Sequence, residues 1–143
     1  MRVKRRQITF EPGVVPVLSK NTRVQKENVE MNDFESVKNL IIQLVKEKTG
    51  DFDGDSWEAD YKLNWESELA ERLEIALFSM SKMASARESG DDVMLTAALV
   101  HSRMNFMDLA NFFRDIFDDL DALLVKPVWP DIPEGFDYGK SAN

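Results

Sequence analysis

The sequence of 143 residues contains no cysteine and a single histidine, His101. Without cysteine there is no disulfide, no thiolate nucleophile and no cysteine-based zinc site, and one histidine excludes a multi-histidine metal site within one chain. No run of about 18 apolar residues occurs, so no membrane-spanning helix is expected. The basic start, residues 1–6, is not followed by the apolar run of a secretion signal. We therefore predict no membrane partner and a location in the cytoplasm, or within an assembly formed there.

The composition, with 43% hydrophobic and 31% charged residues, is that of one globular domain. The net charge of −8 conceals an asymmetry along the chain. Residues 1–32 carry seven Lys and Arg against three Glu, a net charge of +4, whereas residues 33–143 carry eleven against twenty-three, a net charge of −12. A basic segment joined to an acidic body is attracted to acidic surfaces, whether its own, those of another copy or those of a polyanion.

Residues 1–31 are predicted to form a basic extended arm. Gln7–Phe10 and Val14–Leu18 contain β-branched residues and flank a Pro-Gly pair, a pattern that favours two strands joined by a turn. Pro16 restricts the second run to an edge strand or a free arm. Because a lone hairpin is marginally stable in water, we expect the arm to lie on a partner surface. Its candidate contact residues are Arg2, Lys4, Arg5, Arg6 and Arg23.

The first helix is predicted to start at Asn32, a capping residue with Glu35 three positions further on. Apolar residues then recur at helical spacing and form one stripe: Val37, Leu40, Ile41, Leu44 and Val45. Two lysines in the last turn complement the helix dipole. Gly50 is predicted to end this helix.

The second helix is predicted to begin near Ser56, because Asp55 and Glu58 form another capping pair. Its apolar residues also hold helical spacing: Trp57, Tyr61, Trp65, Leu69, Leu73, Ala76, Leu77, Met80 and Met83. Asn64 could cap the chain again and break this helix. A turn at residues 89–91 is predicted to end it.

The third helix is predicted to start at Asp92 and to end before Pro127. It carries two apolar series, Val93, Ala97, Val100, Met104 and Met107, then Phe106, Leu109, Phe113, Phe117, Leu120 and Leu124. Asn105 with Asp108 could cap a separate fourth helix. The tail contains several prolines and is predicted to be irregular. Four of its side chains are too apolar for a free tail and are expected to pack on the helices: Trp129, Ile132, Phe136 and Tyr138.

Three or four helices joined by short loops indicate an all-α fold. We predict an antiparallel three- or four-helix bundle with an extended or β N-terminal arm and an irregular C-terminal tail. In this division the arm spans residues 1–31, the bundle residues 32–125, and the tail, which packs on the bundle, residues 126–143.

Asp51, Asp53 and Asp55 crowd the turn between the first two helices and are the candidate metal ligands. A calcium-binding EF-hand loop needs acidic ligands at its first, third and fifth positions, a glycine at the sixth and a glutamate at the twelfth. Counted from Asp51, Gly54 falls at the fourth position and Lys62 at the twelfth, where it would repel the ion. We therefore interpret this segment as a solvated acidic turn and predict no metal and no cofactor.

Two further acidic pairs point to an enzymatic alternative. Glu71-x-x-Glu74 is followed by Glu88-x-x-Asp91, and this order resembles the motif of the all-α nucleotide pyrophosphatases of the MazG type. The resemblance covers two tetrapeptides and implies carboxylates that hold Mg²⁺ and a nucleotide phosphate. Acidic residues at this spacing also occupy solvated helix faces routinely.

Methionine and phenylalanine are concentrated in the last two predicted helices. Methionines suggest an adaptable apolar surface, but at helical spacing they more often fill the core: Met80, Met83, Met94, Met104 and Met107. Phe112 and Phe113 are adjacent, so they cannot both face one narrow core stripe. Both are therefore candidates for an apolar partner-binding face, with one of them turned towards a partner or the C-terminal tail.

These features favour a non-enzymatic protein–protein interaction or assembly protein, which grips a partner or another copy through its basic arm and an apolar helix face. Nucleic acid is disfavoured as a partner, because the acidic body repels phosphates and the arm holds a single aromatic residue, Phe10. The alternatives are an acidic DNA-mimic inhibitor of a nucleic-acid-binding enzyme and a Mg²⁺-dependent all-α nucleotide pyrophosphatase.

Overall fold

The computed structural model describes residues 30–140, of which 69% lie in helices and none in a strand. The three α-helices are α1, Phe34–Thr49, α2, Trp65–Ser89, and α3, Asp92–Leu124. The predicted all-α class is therefore confirmed for this part of the chain, with three helices. None of these helices is long and apolar enough to cross a membrane. The candidate arm residues lie outside the described residues: Arg2, Lys4, Arg5, Arg6 and Arg23.

The cap of α1 is Asp33, one residue after the predicted Asn32. Its backbone is extended, and its side chain accepts a hydrogen bond of 2.7 Å from the backbone N–H of Ser36. Hydrogen bonds from Ser36 lower the pKa of Asp33, which keeps the carboxylate charged at the positive end of the helix dipole. Gly50 ends the helix as predicted, in the left-handed region at φ 88°, where a side chain would be strained.

The prediction that the second helix begins near Ser56 is wrong. The chain forms a short 3-10 helix, Gly54–Ser56, and continues without regular structure until Asn64, which caps α2. The reason is that the backbone N–H groups of Glu58 and Ala59 donate to the side chain of Asp119. These bonds hold the segment against α3 in place of a helical turn.

The third helix is continuous over 33 residues, and no fourth helix follows it in the described part of the chain. Asp91 caps its start by accepting a 3.0 Å hydrogen bond from the backbone N–H of Met94. Asn105, a predicted cap, instead donates to the hydroxyl of Ser79 in α2 at 2.7 Å. Its side chain is committed across the helix interface and therefore cannot cap a new helix.

α3 is the longest helix of residues 30–140, about 50 Å at a rise of 1.5 Å per residue, and α2 packs antiparallel along its first two thirds. Ser79 pairs with Asn105, and Arg72 pairs with Asp108 at 2.6 Å, so residues later in α2 meet residues earlier in α3. Gly90 makes the tight connection between the two helices at φ 71°.

α1 packs beside the last third of α3 and runs in the same direction. Its first residue, Phe34, contacts the rings of Phe112 and Phe113 at centroid distances of 6.2 and 5.8 Å. Val45 lines the same cleft as Ala122, much further along α3. α1 and α2 therefore start close together and diverge along α3.

One hydrophobic core, here called the lower core, lies between α1, the irregular residues 57–64 and the C-terminal end of α3. Its buried members are Ile41, Val45, Ala59, Tyr61, Trp65, Ile116 and Leu123. Tyr61 and Trp65 were predicted as apolar residues of one helix face, and both are buried although Tyr61 precedes the helix. The Trp65 indole N–H donates to the backbone carbonyl of Asp60 at 2.9 Å, so this ring is both packed and hydrogen-bonded.

The buried face of α3, here called the first seam, packs against α2 along the first two thirds of α3 and against the lower core at its C-terminal end. Near the start of α3 it is built mainly from small residues. On α3 its residues alternate three and four apart, as in coiled coils: Leu95, Ala98, Ser102, Asn105, Leu109, Phe112, Ile116, Asp119 and Leu123, all buried or half-buried. On α2 the buried positions include Leu69, Ala76, Ser79 and Ala86. Three apolar residues of the series predicted for the second helix are exposed instead of facing α3: Leu73, Leu77 and Met80.

The tail after α3 packs through one of its four apolar side chains. The Trp129 indole N–H donates to the carbonyl of Leu123 at 2.8 Å, and the Lys48 ammonium lies 5.4 Å from the centroid of the Trp129 ring. The expected packing is wrong for the other three, which are exposed: Ile132, Phe136 and Tyr138.

Candidate interaction surface

Among the described residues, the most buried acidic group is the carboxylate of Asp119, which is 1% exposed. One oxygen accepts from the backbone N–H of Glu58 at 2.8 Å. The other accepts from the backbone N–H of Ala59 at 3.0 Å and from the hydroxyl of Tyr61 at 2.9 Å. A buried carboxylate is stable only when donors replace its water, and here three donors from one segment do so.

Burial and the hydrogen bond to the Asp119 carboxylate raise the pKa of Tyr61. The tyrosine therefore stays a protonated donor well above neutral pH. Both carboxylate oxygens of Asp119 accept hydrogen bonds from residues 58–61. These bonds fix that segment against α3, where it covers the lower core.

Two glutamates connect the adjacent starts of α1 and α2. Glu66 of α2 accepts from the backbone N–H of Phe34, and Glu35 of α1 accepts from the backbone N–H of Trp65, both at 2.8 Å. Each helix thus receives a carboxylate at its positive end from the other helix. The buried Lys38 pairs with Glu35 and donates to the carbonyl of Leu63 at 2.7 Å.

The pKa of Glu35 reflects opposing effects. Burial raises it, but the hydrogen bond from Lys38 and the backbone N–H of Trp65 together lower it below its ordinary value. Glu35 is therefore a structural anion, charged at neutral pH, and its partners are all within the chain.

The acidic turn is engaged in local hydrogen bonds. Asp53 accepts from the backbone N–H of Asp55 at 3.1 Å and from the hydroxyl of Ser56 at 2.9 Å. Asp55 forms an exposed ion pair with Lys62 at 3.4 Å, and Asp51 lines the neighbouring cleft. Among residues 30–140, no group of three or more His, Asp or Glu side chains is arranged to hold a metal ion.

The two acidic pairs that resemble the pyrophosphatase motif lie at different places in the fold and have different structural roles. Glu71 and Glu74 are exposed on α2. Glu88 lies in the last turn of α2, and Asp91 caps α3. Nothing in the described part of the chain brings these four carboxylates together, since no metal-holding group is formed there.

Phe112 and Phe113 occupy different environments, as their adjacency requires. Phe112 is half-buried against Trp65 at a centroid distance of 6.3 Å, with the Arg72 guanidinium 5.5 Å from its ring. Phe113 contacts Phe34 on one side and is 45% exposed. Phe113 alone of the pair therefore offers substantial surface to a partner.

Phe113 belongs to a second apolar seam on α3, parallel to the first. The second seam follows the same alternation of four and three residues over 26 positions: Leu99, Arg103, Phe106, Ala110, Phe113, Phe117, Leu120 and Leu124. Every member is exposed, and six are large apolar residues that are 45–70% exposed. A strict three-four alternation is the pattern with which one helix packs against another.

Exposed residues of α2 continue this surface. Ile75 and Phe78 share a groove with Met94 and His101 on one side of the α2–α3 pair. Because side chains on a helix repeat every 3.6 residues, the remaining exposed apolar residues of α2 project to the other side, where the second seam begins: Leu73, Leu77 and Met80. The favoured expectation that the methionines fill the core is wrong for four of them, which are exposed: Met80, Met94, Met104 and Met107.

Charge is distributed unevenly along α3. Its first half, Asp92–Met107, carries one acidic residue and one arginine, whereas its second half, Asp108–Leu124, carries five acidic residues and one arginine. The first half is therefore close to neutral, and the second half has a net charge of −4.

The sequence patterns identified most members of the second seam as apolar helix residues, but they did not show that these residues form an exposed face. Phe106, Phe113, Phe117, Leu120 and Leu124 were assigned to one apolar series together with Leu109, which is buried. The sequence signal that would have located this face is the separate three-four alternation of the first seam. Its small residues, such as Ala98 and Ser102, mark where α2 approaches α3.

Comparison with protein-family models, with curated proteins and with solved structures finds no match.

Proposed function

We propose that this chain is a non-enzymatic protein–protein interaction or assembly protein that docks a helical surface on the second seam of α3. The observation that carries the proposal is the exposed three-four register of large apolar side chains. An amphipathic helix normally presents one apolar stripe and one polar face. α3 presents one stripe to α2 and α1 and keeps another of similar length exposed.

The size of this surface supports docking. The six large apolar residues of the second seam together expose the equivalent of about three complete side chains, which is on the order of 600 Å² at roughly 200 Å² each. Monomeric proteins rarely expose a contiguous apolar patch beyond about 300–600 Å². A standard protein–protein interface buries about 800 Å² per partner.

The packing of α2 supports a helix as the docked element. Along the N-terminal part of α3, which α1 does not reach, residues 30–140 provide only α2 and α3 side by side. A layer of two helices buries only the residues between them. We propose that partner helices complete the antiparallel bundle that the sequence predicts. Exposed α2 residues such as Leu77, which is 65% exposed, would then be covered as well.

The basic arm adds an electrostatic component to this proposal. Its five candidate contact residues, Arg2, Lys4, Arg5, Arg6 and Arg23, would contact acidic surface on a partner or another copy, as the net charges of +4 and −12 favour. No observation on the described residues favours the DNA-mimic or pyrophosphatase alternatives, so neither is proposed.

The test is affinity capture with the full chain as bait in its source cells. The seam variant carries Phe106→Glu and Phe117→Glu, both at exposed positions of the second seam, so its fold should be retained. The control carries Ser81→Glu and Asn111→Glu, which add the same charge at exposed polar positions. We expect the wild-type chain and the control to retain the same protein, whether another copy or a different chain, and the seam variant to lose at least ten-fold of it. Equal capture by all three baits would contradict the proposal.

A further inference from the structure

We infer that the occupant of the second seam is a second copy of this chain, with the two α3 helices antiparallel about a two-fold axis between Ala110 and Phe113. This inference rests on the proposed function and names its partner. A two-fold contact requires a surface that is complementary to itself, and three properties of the second seam meet that requirement.

The first property is the charge gradient along α3. In a parallel pair the two acidic halves would lie side by side and repel. Asp119 is buried and Asp108 pairs with Arg72, so the repulsion comes from the remaining carboxylates of each half: Asp115, Asp118, which pairs with Arg114, and Asp121. In an antiparallel pair each acidic half lies beside a neutral half. Arg103 of one copy then faces Leu120 of the other, next to the carboxylate of Asp121, which supplies a favourable charge at the edge of the seam.

The second property is the match of side-chain sizes. With the axis between Ala110 and Phe113, the smallest residue of the seam faces a phenylalanine. Phe106 faces Phe117, and Leu99 faces Leu124 at the ends. At the axis a small residue therefore lies opposite a large one, which permits close packing, and the two outer pairs place apolar side chains opposite each other.

The third property is area. The apolar part of the second seam contributes about 600 Å² per copy, by the same estimate of roughly 200 Å² for a large side chain. Antiparallel pairing also brings the second copy's α3 alongside the exposed α2 residues Leu73, Leu77 and Met80. Together these surfaces approach the roughly 800 Å² per partner of a stable interface, and the product is a four-helix arrangement of two α2–α3 pairs.

Chemical cross-linking tests this arrangement directly, because the wild-type chain contains no cysteine. In the antiparallel pair, residue 110 lies about 4.5 Å along the axis from its counterpart, whereas residue 99 lies about 37 Å from its own, at 1.5 Å per residue. We therefore expect the full chain with Ala110→Cys to form a covalent dimer with a short bis-maleimide. Asn111→Cys, exposed on another side of α3, is the matched control and should remain at least ten-fold less cross-linked.

The direction of pairing is tested with Leu99→Cys and Leu124→Cys. Each variant alone should give little cross-linked dimer, and the two mixed should give a covalent heterodimer. Efficient cross-linking of Leu99→Cys alone would show parallel pairing and overturn the inference.

Sedimentation of the uncross-linked full chain gives an independent readout. We expect a mass of twice the chain's 16.4 kDa for the wild type, and 16.4 kDa for the variant with Phe106→Glu and Phe117→Glu, with unchanged helical circular dichroism. A dimer that survives these two changes, or that depends on residues 1–29 instead, would overturn the inference.

A wild-type chain that stays monomeric at hundreds of micromolar would also overturn it. The proposed function would survive that result if the seam variant still lost a different captured protein. It would fail only if capture were indifferent to the seam, so the two failures are distinguishable.

Discussion

Replacing Asp119 should lower the free energy of unfolding more than replacing any other acidic residue at the lower core. The side chain is 1% exposed and accepts three hydrogen bonds, from Glu58, Ala59 and Tyr61. Removing it leaves three donors without partners, and those donors hold residues 58–61 over Ile116 and Leu123.

The magnitude follows from the number of orphaned donors. Each buried donor left without a partner costs about 1–3 kcal/mol. The N–H of Ala59 and the hydroxyl of Tyr61 are buried, so Asp119→Ala should lose about 2–6 kcal/mol of unfolding free energy, by the same cost per donor. Asp119→Asn keeps the volume but turns an amide donor towards N–H or O–H groups. Its expected loss of unfolding free energy is about 1.5–3 kcal/mol, the contribution of a hydrogen bond to a charged group. The total free energy of unfolding of a native protein is about 5–15 kcal/mol, so either loss would be a large part of it.

Urea unfolding followed by tryptophan fluorescence measures these losses, because Trp57, Trp65 and Trp129 all contribute to the lower core. The matched control is Asp118→Asn, which removes only a 3.4 Å ion pair with the 70% exposed Arg114. An exposed pair is worth about 0–1 kcal/mol. If Asp119→Asn lowered the free energy of unfolding no more than the control, the inferred role of Asp119 in holding residues 58–61 against α3 would be refuted.

Three smaller predictions concern other groups. Ser102 has a buried hydroxyl without a hydrogen-bond partner, so Ser102→Ala should raise the unfolding free energy by about 0.5–1 kcal/mol, and a clear loss relative to Ser81→Ala in urea unfolding would contradict this. Because the pKa of Glu35 is lowered in the folded state, its stabilising contribution is present above the ordinary glutamate pKa and is lost as the pH falls through the lowered folded value. The stability of Glu35→Gln should therefore decline less between pH values of about 5 and 3, and curves parallel to the wild type would count against it. The pKa of Tyr61 is raised, so its contribution is complete below the ordinary tyrosine pKa of about 10 and is lost at higher pH. Alkaline titration of stability should accordingly be flatter for Tyr61→Phe, and an unchanged slope would argue against a buried phenol.

Local signals in the sequence predicted much of the secondary structure. Gly50 ends α1 because a left-handed residue closes a helix most easily when it lacks a side chain. Asp92 begins α3 as predicted, and Asn64, identified as a potential break, caps α2. These features depend on hydrogen bonds within a few residues, so the local sequence contains the information.

Assignments that depended on distant partners failed. Asp55 and Glu58 have the spacing of a capping pair, yet the backbone of Glu58 bonds to Asp119, which is 61 residues away. Asn105 has the composition of a cap but pairs with Ser79 across the α2–α3 interface. No local pattern distinguishes a side chain that caps its own helix from one that bonds to another element.

The sequence by itself determined that the chain is helical, acidic in its body and rich in apolar residues on more than one face of its last helix. Only the tertiary structure decided which face of α3 is used within the chain. Small residues such as Ala98 and Ser102 let α2 approach closely and form the first seam, so the larger Phe106 and Phe117 are left exposed. Hydrophobic periodicity ranks faces by apolarity, whereas packing also selects them by the distance at which two helices can meet. For this reason most large apolar residues of the candidate binding surface could be recognised from the sequence, but the surface itself could be located only in the fold.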